Sequence, residues 1–277
     1  MSFLGLLTRC KDEFFIEEFC NYYLSQGVDK IFIIDDNSNN KTIYKNLLDN
    51  DKIVIHYKKN IVKNHKINGD NSYVNKVYQQ IKNDFKWMIY CDADEFITTK
   101  KNIDNTIKDE LINTFKDVDC IKIPWVMMSC NGRKNNPKSI LIENLFRWNH
   151  NLTHPHKIHK FRCRYNKIEV KCIFKTDKFI GVTNHFPIKN SESIIIVDSI
   201  NINKENSAGY YKNLREDDIK NGYMLCYHYR IISIENCMNK LKNSFIYKNK
   251  YTLEDLLDTD YPEIKDETLK QKYLKLL

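Results

Sequence analysis

Apolar and polar positions along the chain follow two textures, and the boundary between them falls near residue 120. In the first part, short apolar runs alternate with amphipathic stretches. Phe3–Thr8 is an apolar run of the kind that forms a strand buried on both faces. From Asp12 to Gln26, Phe15, Ile16, Phe19, Tyr22 and Tyr23 recur at helical intervals, and Gly27 follows as the residue that ends a helix in the left-handed conformation. Lys30–Ile34 is a second strand, Asp35–Ser38 a polar turn, Thr42–Asp49 a helix and Ile53–Tyr57 a third strand. Ser72–Phe85 reads as a helix, Trp87–Cys91 as a fourth strand and Asp104–Phe115 as another helix. Strands alternating with helices predict a parallel sheet with right-handed crossovers.

After Cys120 the texture turns to strands and loops: Cys120–Met128, Lys167–Phe174, Lys178–Val182 and the apolar run Ser193–Val197. Ile234–Lys248, Thr252–Leu257 and Lys265–Leu276 are helical in pattern. With no internal repeat and no low-complexity linker, the expectation is one α/β domain over 1–233 carrying a helical extension, 234–277, packed on it.

Composition changes this picture little. Of 277 residues, 42% are hydrophobic and 12% aromatic, enough for a sizeable core, which excludes a disordered chain. The formal net charge of +8 is spread along the chain without a run of five like charges, so it describes a solvated surface compatible with a diphosphate ligand rather than a nucleic-acid tract. Nine Cys with no CxxC pair read as reduced, buried thiols. The N-terminal apolar run stops at Arg9, too soon for a signal segment, and no stretch of about 18 apolar residues suggests a spanning helix. A soluble, cytoplasmic protein is the expectation.

Open α/β sheets bind ligands at the carboxyl ends of their strands. Three polar caps sit there: Thr8-Arg9, Asp35–Ser38 and Asp92–Glu95. The third carries the strongest chemistry. Asp92 and Asp94, two apart just past a buried strand, are costly to hold together without a counter-charge, and a divalent cation bound with phosphate oxygens removes that cost. A solvated turn capping a helix is the plainer alternative. Asp35-Asp36-Asn37-Ser38 suits a ribose or base contact and equally an Asx-type turn. In Tyr227–Arg230, His228 offers a nitrogen ligand and Arg230 a phosphate contact, or else a half-buried His-Tyr pair serves packing. The tract holding His154, His156 and His159, preceded by His150, contains no carboxylate, and Cys163 lies in no zinc spacing. It reads as a polar loop or an acceptor contact.

Taken together, four segments in order resemble family-2-like and family-92-like glycosyltransferases: Leu7–Glu13 with Gly27–Ser38, Trp87–Ile97 (WMIYCDADEFI), Lys171–Pro187 and Tyr227–Lys242. Asp12 stands where that family usually has Asn, Lys175 near its usual Arg, and Ile232 where it has Lys. The resemblance implies a GT-A fold, a mixed, mostly parallel sheet flanked by helices, with a nucleotide-sugar donor, usually a UDP-sugar, and Mn²⁺ or Mg²⁺; about 1–100 would then be the nucleotide-binding half and about 101–233 the acceptor half. By motif, Thr8, Arg9 and Asp36 would meet the nucleoside, and Asp92 the ribose or metal. Asp94 would hold the metal, His228 would complete its sphere, and Lys171 and Arg230 would take the diphosphate.

The reaction expected is displacement at the anomeric carbon, with inversion, onto a hydroxyl of a glycan or glycoprotein acceptor. Glu95, Glu143, Glu169 and Asp198 are candidate bases, Glu95 being best placed at a strand end. A sugar-phosphate nucleotidyltransferase would share the sheet and paired acids, but its glycine-rich phosphate loop is missing near the first strand, where only Gly5 occurs. A non-catalytic glycan-binding module and a metal nuclease are the other readings.

Overall fold

The computed structural model describes residues 1–57, 72–152, 167–190, 193–204 and 209–276. Its elements, in chain order, are β1 (Ser2–Cys10), α1 (Ile16–Ser25), β2 (Lys30–Asp35), β3 (Ile53–Tyr57), α2 (Ser72–Ile81), β4 (Phe85–Asp92), β5 (Glu95–Thr99) and α3 (Ile107–Asn113). There follow β6 (Cys120–Ser129), α4 (Ile140–Glu143), β7 (Phe146–Arg147), β8 (Ile168–Lys175), β9 (Phe179–Val182), β10 (Pro187–Lys189), β11 (Ile196–Asp198), β12 (Tyr210–Tyr211) and α5 (Glu216–Asn221). The chain closes with β13 (Met224–His228), α6 (Ile234–Asn243), α7 (Phe245–Lys250), α8 (Leu253–Leu257), β14 (Ile264–Lys265) and α9 (Thr268–Leu274).

A mixed sheet runs in the order β14-β7-β6-β8-β4-β1-β2-β3. β3, β2, β1 and β4 are mutually parallel, and β8 is antiparallel between β4 and β6. β13 lies parallel to β6 and antiparallel to β5. Apolar side chains of both sheet faces are buried, α1 covering one and α2 the other, which is why the middles of β1, β2 and β4 are continuously apolar. This is the α/β architecture of helices around a mostly parallel sheet that the alternation predicts. Among the described residues no helix is long and apolar enough to cross a membrane, and the eight described cysteines are free and buried.

Four local differences separate the structure from the sequence pattern. α1 starts at Ile16 rather than Asp12, because Asp12 sits in the left-handed region at φ 57°, its carboxylate accepting from the Asn39 side chain and the Asn40 amide. Asp and Asn are the residues that tolerate this conformation. Lys41–Leu47 is a 3₁₀ turn, capped by Asn40, rather than an α-helix. The helical pattern from Ile234 breaks at Ser244, whose side chain caps α7. The polar stretch Glu95–Thr99, with no strand predicted, pairs with β13 as β5.

The C-terminal segment belongs to the same packed body. β14 pairs with β7, and Leu269 and Tyr273 of α9 are buried in the core that also contains Leu4 and Trp87. His150 is buried and its amide donates to Glu216, whereas His154, His156, His159 and Cys163 lie outside the described residues.

Candidate active site

Parallel register brings the tips of three strands to one edge. Cys10 of β1 pairs with Asp35 of β2, and Arg9 with Asp92 of β4. At the β2 tip the two acids divide the work that the sequence leaves open. Asp35 is buried and accepts from the Ser38 amide (3.1 Å) and the Tyr44 hydroxyl (2.9 Å), closing an Asx-type turn. Asp36, one residue on, lines a cavity of about 540 Å³ at the sheet edge.

β5 is held below this cavity by α1. The buried Tyr23 hydroxyl accepts from the Ile97 amide and donates to the Glu95 carbonyl, both at 2.9 Å, and Tyr22 donates to the Ile97 carbonyl. This clamp fixes the Asp92–Glu95 turn. Asp92 takes Lys171 at 2.9 Å and Arg9 at 3.7 Å. Burial opposes its charge, but Lys171 and Arg9 together hold its carboxyl well below the usual range. Asp94 takes Lys240 of α6 at 2.9 Å, with His228 Nε2 3.7 Å from its other oxygen. Burial again works against the charge, and Lys240 holds this carboxyl below its ordinary value. The amide of Tyr229 donates to the Asp94 carbonyl, tying β13 to the turn.

His228 is neutral. Desolvation pushes its pKa down to about 3 against the pull of Asp94, and its ring lies on Trp125 with centroids 4.2 Å apart. Lys240 stays charged, since Asp94 and Glu13 outweigh its burial. Glu13, on the cavity wall, is driven by desolvation up to about 7, with Lys240 opposing.

The predicted site residues therefore separate into two layers. Arg9, Asp36, Asp92, Asp94, His228 and Arg230 line the cavity. Thr8, Glu95 and Lys171 lie beneath it, at most 1% exposed. Glu95 accepts the Asp92 amide (2.8 Å) and lies 3.1 Å from Lys171, so it supports the turn instead of facing substrate. Burial drives its carboxyl well above the usual range, with Lys171 opposing. Lys171 likewise orients Asp92 rather than meeting a diphosphate.

Of the other candidate bases, Asp198 caps its own turn through the Ile200 and Asn201 amides, and Glu143 accepts from the Lys138 and Ser139 amides. Glu169 alone of the four lines the cavity. The three predicted metal ligands do not converge as a preformed set. Asp92 and Asp94 have each taken a lysine, and among the described residues no three side chains of metal-ligating type gather.

Sequence reasoning missed Lys240, Glu13, Trp125 and His185, all on the cavity wall. Lys240 had a signal: it is the first of the two lysines in the Tyr227–Lys242 segment that carries the family resemblance. Trp125, inside a continuous apolar strand, had none.

The family model described as glycosyltransferase family 92 matches residues 13–271. No curated protein matches the chain. Solved structures of similar shape include 4-diphosphocytidyl-2C-methyl-D-erythritol synthase from Anaerococcus prevotii, 11% identical over 79% of this chain and 93% of that one, TM-score 0.34. They include S. aureus TarS in complex with UDP-GlcNAc, 16% identical over 93% and 70%, TM-score 0.36. A putative glucose-1-phosphate thymidylyltransferase from Bacillus anthracis is 9% identical over 99% and 83%, TM-score 0.34.

Proposed function

The chain belongs to glycosyltransferase family 92 and is an enzyme of sugar transfer, and we propose that it moves a sugar from a UDP-sugar to a glycan or glycoprotein hydroxyl, with inversion and with Mn²⁺ or Mg²⁺. The observation that carries this reading is the charge pattern of the cavity. Two ionised carboxylates, Asp92 and Asp94, and the cations Arg9, Arg230 and Lys240 share one cavity at the carboxyl edge of the sheet. A pyrophosphate needs such neighbouring cations, and a nucleoside needs polar strand tips such as Asp36.

The donor set suits a hard divalent ion. Ionised carboxylate oxygens and a neutral imidazole are acceptable ligands, and Asp94 with His228 would hold the ion, Asp92 standing beside them. Bound there, it would neutralise charge developing on the departing diphosphate. The chain's own groups do the rest. Arg9 and Arg230 orient the diphosphate, and Lys240, released from Asp94, adds a third positive charge. Lys171 and Glu95 keep Asp92 in place from below. The acceptor oxygen then forms its bond to the anomeric carbon as the bond to the phosphate oxygen breaks, the electron pair leaving on the diphosphate.

Asp94→Asn tests this. UDP release from a panel of UDP-sugars with Mn²⁺ should fall at least about 100-fold, while the variant keeps its fold by circular dichroism. Undiminished turnover in Asp94→Asn would remove the basis of the assignment.

A further inference from the structure

We infer that His185 and Glu169 form the proton-accepting pair of the acceptor half of the site, His185 taking the proton of the attacking hydroxyl. The inference rests on the glycosyl-transfer reading above and deepens it.

Both residues line the same cavity as Asp92 and Asp94. The hairpin between β9 and β10 closes through Thr183, whose amide and hydroxyl both meet the Phe186 carbonyl, and this turn presents Asn184 and His185 at its tip. Lys171 fixes the tip by donating to the Asn184 carbonyl at 2.8 Å. On β8, Glu169 and Lys171 are two residues apart and so share a face. Lys171 marks the diphosphate end through Asp92. Glu169 therefore stands about 7 Å further along the strand, a span that one sugar ring fills.

The imidazole geometry determines the role. His185 Nδ1 lies 3.3 Å from the Val170 carbonyl, an oxygen that can only accept, so Nδ1 carries the hydrogen. In the neutral ring Nε2 then holds a lone pair, and it lies 3.4 Å from a Glu169 carboxylate oxygen. Two acceptors face each other with a proton's place between them. Side-chain exposures of 29% for His185 and 16% for Glu169 leave the pair reachable but shielded. Trp125 packs edge-on against the imidazole, centroids 5.4 Å apart.

When the acceptor hydroxyl attacks, its oxygen bonds to the anomeric carbon and its proton passes to Nε2. The imidazolium so formed donates to Val170 and to Glu169. The charged groups facing His185 are Lys171 and Glu169 on β8 and Asp92 on β4. Burial, with Lys171, lowers its pKa below the ordinary histidine value, so the ring is neutral and ready at pH 7.

The test measures UDP release from UDP-hexoses across pH, with UDP binding followed separately by thermal shift. His185→Ala should lose about 100-fold or more in kcat, keep its UDP-induced shift, and regain turnover with added imidazole. Glu169→Gln removes the carboxylate that favours the charged ring, so the acid limb of kcat/KM should move to lower pH. If His185→Ala does not fold, His185→Gln replaces it in the same measurements. A His185 variant retaining more than a tenth of wild-type kcat, one that loses activity without imidazole rescue, or an acid limb unmoved in Glu169→Gln overturns the proposal. A wild-type enzyme silent on every UDP-sugar instead overturns the donor reading on which the pair rests, and that result is read on the wild type alone.

Discussion

Replacing Tyr23 with phenylalanine removes one oxygen atom and leaves the ring where it is. That oxygen accepts the Ile97 amide hydrogen and donates to the Glu95 carbonyl, both at 2.9 Å, and the Cys91 thiol reaches it at 3.6 Å. Tyr23 is fully buried, so water does not take the vacated place. Stranding a buried amide costs about 1–3 kcal/mol, and the carbonyl's lost partner adds about 1 kcal/mol. Tyr23→Phe should therefore destabilise the protein by about 2–4 kcal/mol. Tyr22→Phe is the internal control: its hydroxyl donates to the Ile97 carbonyl at 2.9 Å, and its removal strands no amide, for a cost of about 1 kcal/mol. Urea unfolding should show both midpoints lowered at unchanged slope, Tyr23→Phe by more. Because β5 carries Glu95, whose side chain holds the Asp92 amide, turnover should fall in Tyr23→Phe as well. Equal losses in the two variants, or less than about 0.5 kcal/mol for Tyr23→Phe, would refute the clamp.

Two further outcomes follow from the same geometry. Lys171→Met breaks the pairs with Asp92 and Glu95 and should cost about 3 kcal/mol at pH 7, the low end for a buried pair because the Asp92 side chain is 38% exposed and rehydrates. The folded pKa of Asp92 is depressed, so its stabilisation is present above about pH 4 and lost as pH falls; the gap between wild type and variant in urea midpoints should narrow in acid. Gly27→Ala should destabilise by about 1–3 kcal/mol in thermal unfolding, since Gly27 has φ +86° and a new Cβ would lie 2.5 Å from Lys108 Cβ.

Strand tips were legible because apolar runs end abruptly in Asp, Arg or Ser, and a parallel sheet must align such ends. Arg9, Asp36, Asp92, Asp94, His228 and Arg230 were found that way, and all line the cavity. Which of two adjacent acids faces it was not legible. Asp35 and Asp36 differ by one peptide unit, and the Ser38 amide and the Tyr44 hydroxyl decide which is consumed by the fold. Glu95 reads as a site residue because it stands at a strand end, and Lys171 because the family resemblance implies it, yet they face each other under the floor.

Local pattern, by itself, determined the alternation of strand and helix, the polar strand ends and the Asp92–Asp94 pair, because periodicity and abrupt polarity are properties of neighbouring residues. Tertiary structure alone decided the counter-charges. Lys240 reaches Asp94 across 146 positions of sequence and Lys171 reaches Asp92 across 79. It also set His185 against Glu169 through a hairpin folded back on β8. Contacts of that range depend on how β8, β13 and α6 dock, and a Coulomb partner has no periodicity through which the sequence could announce it.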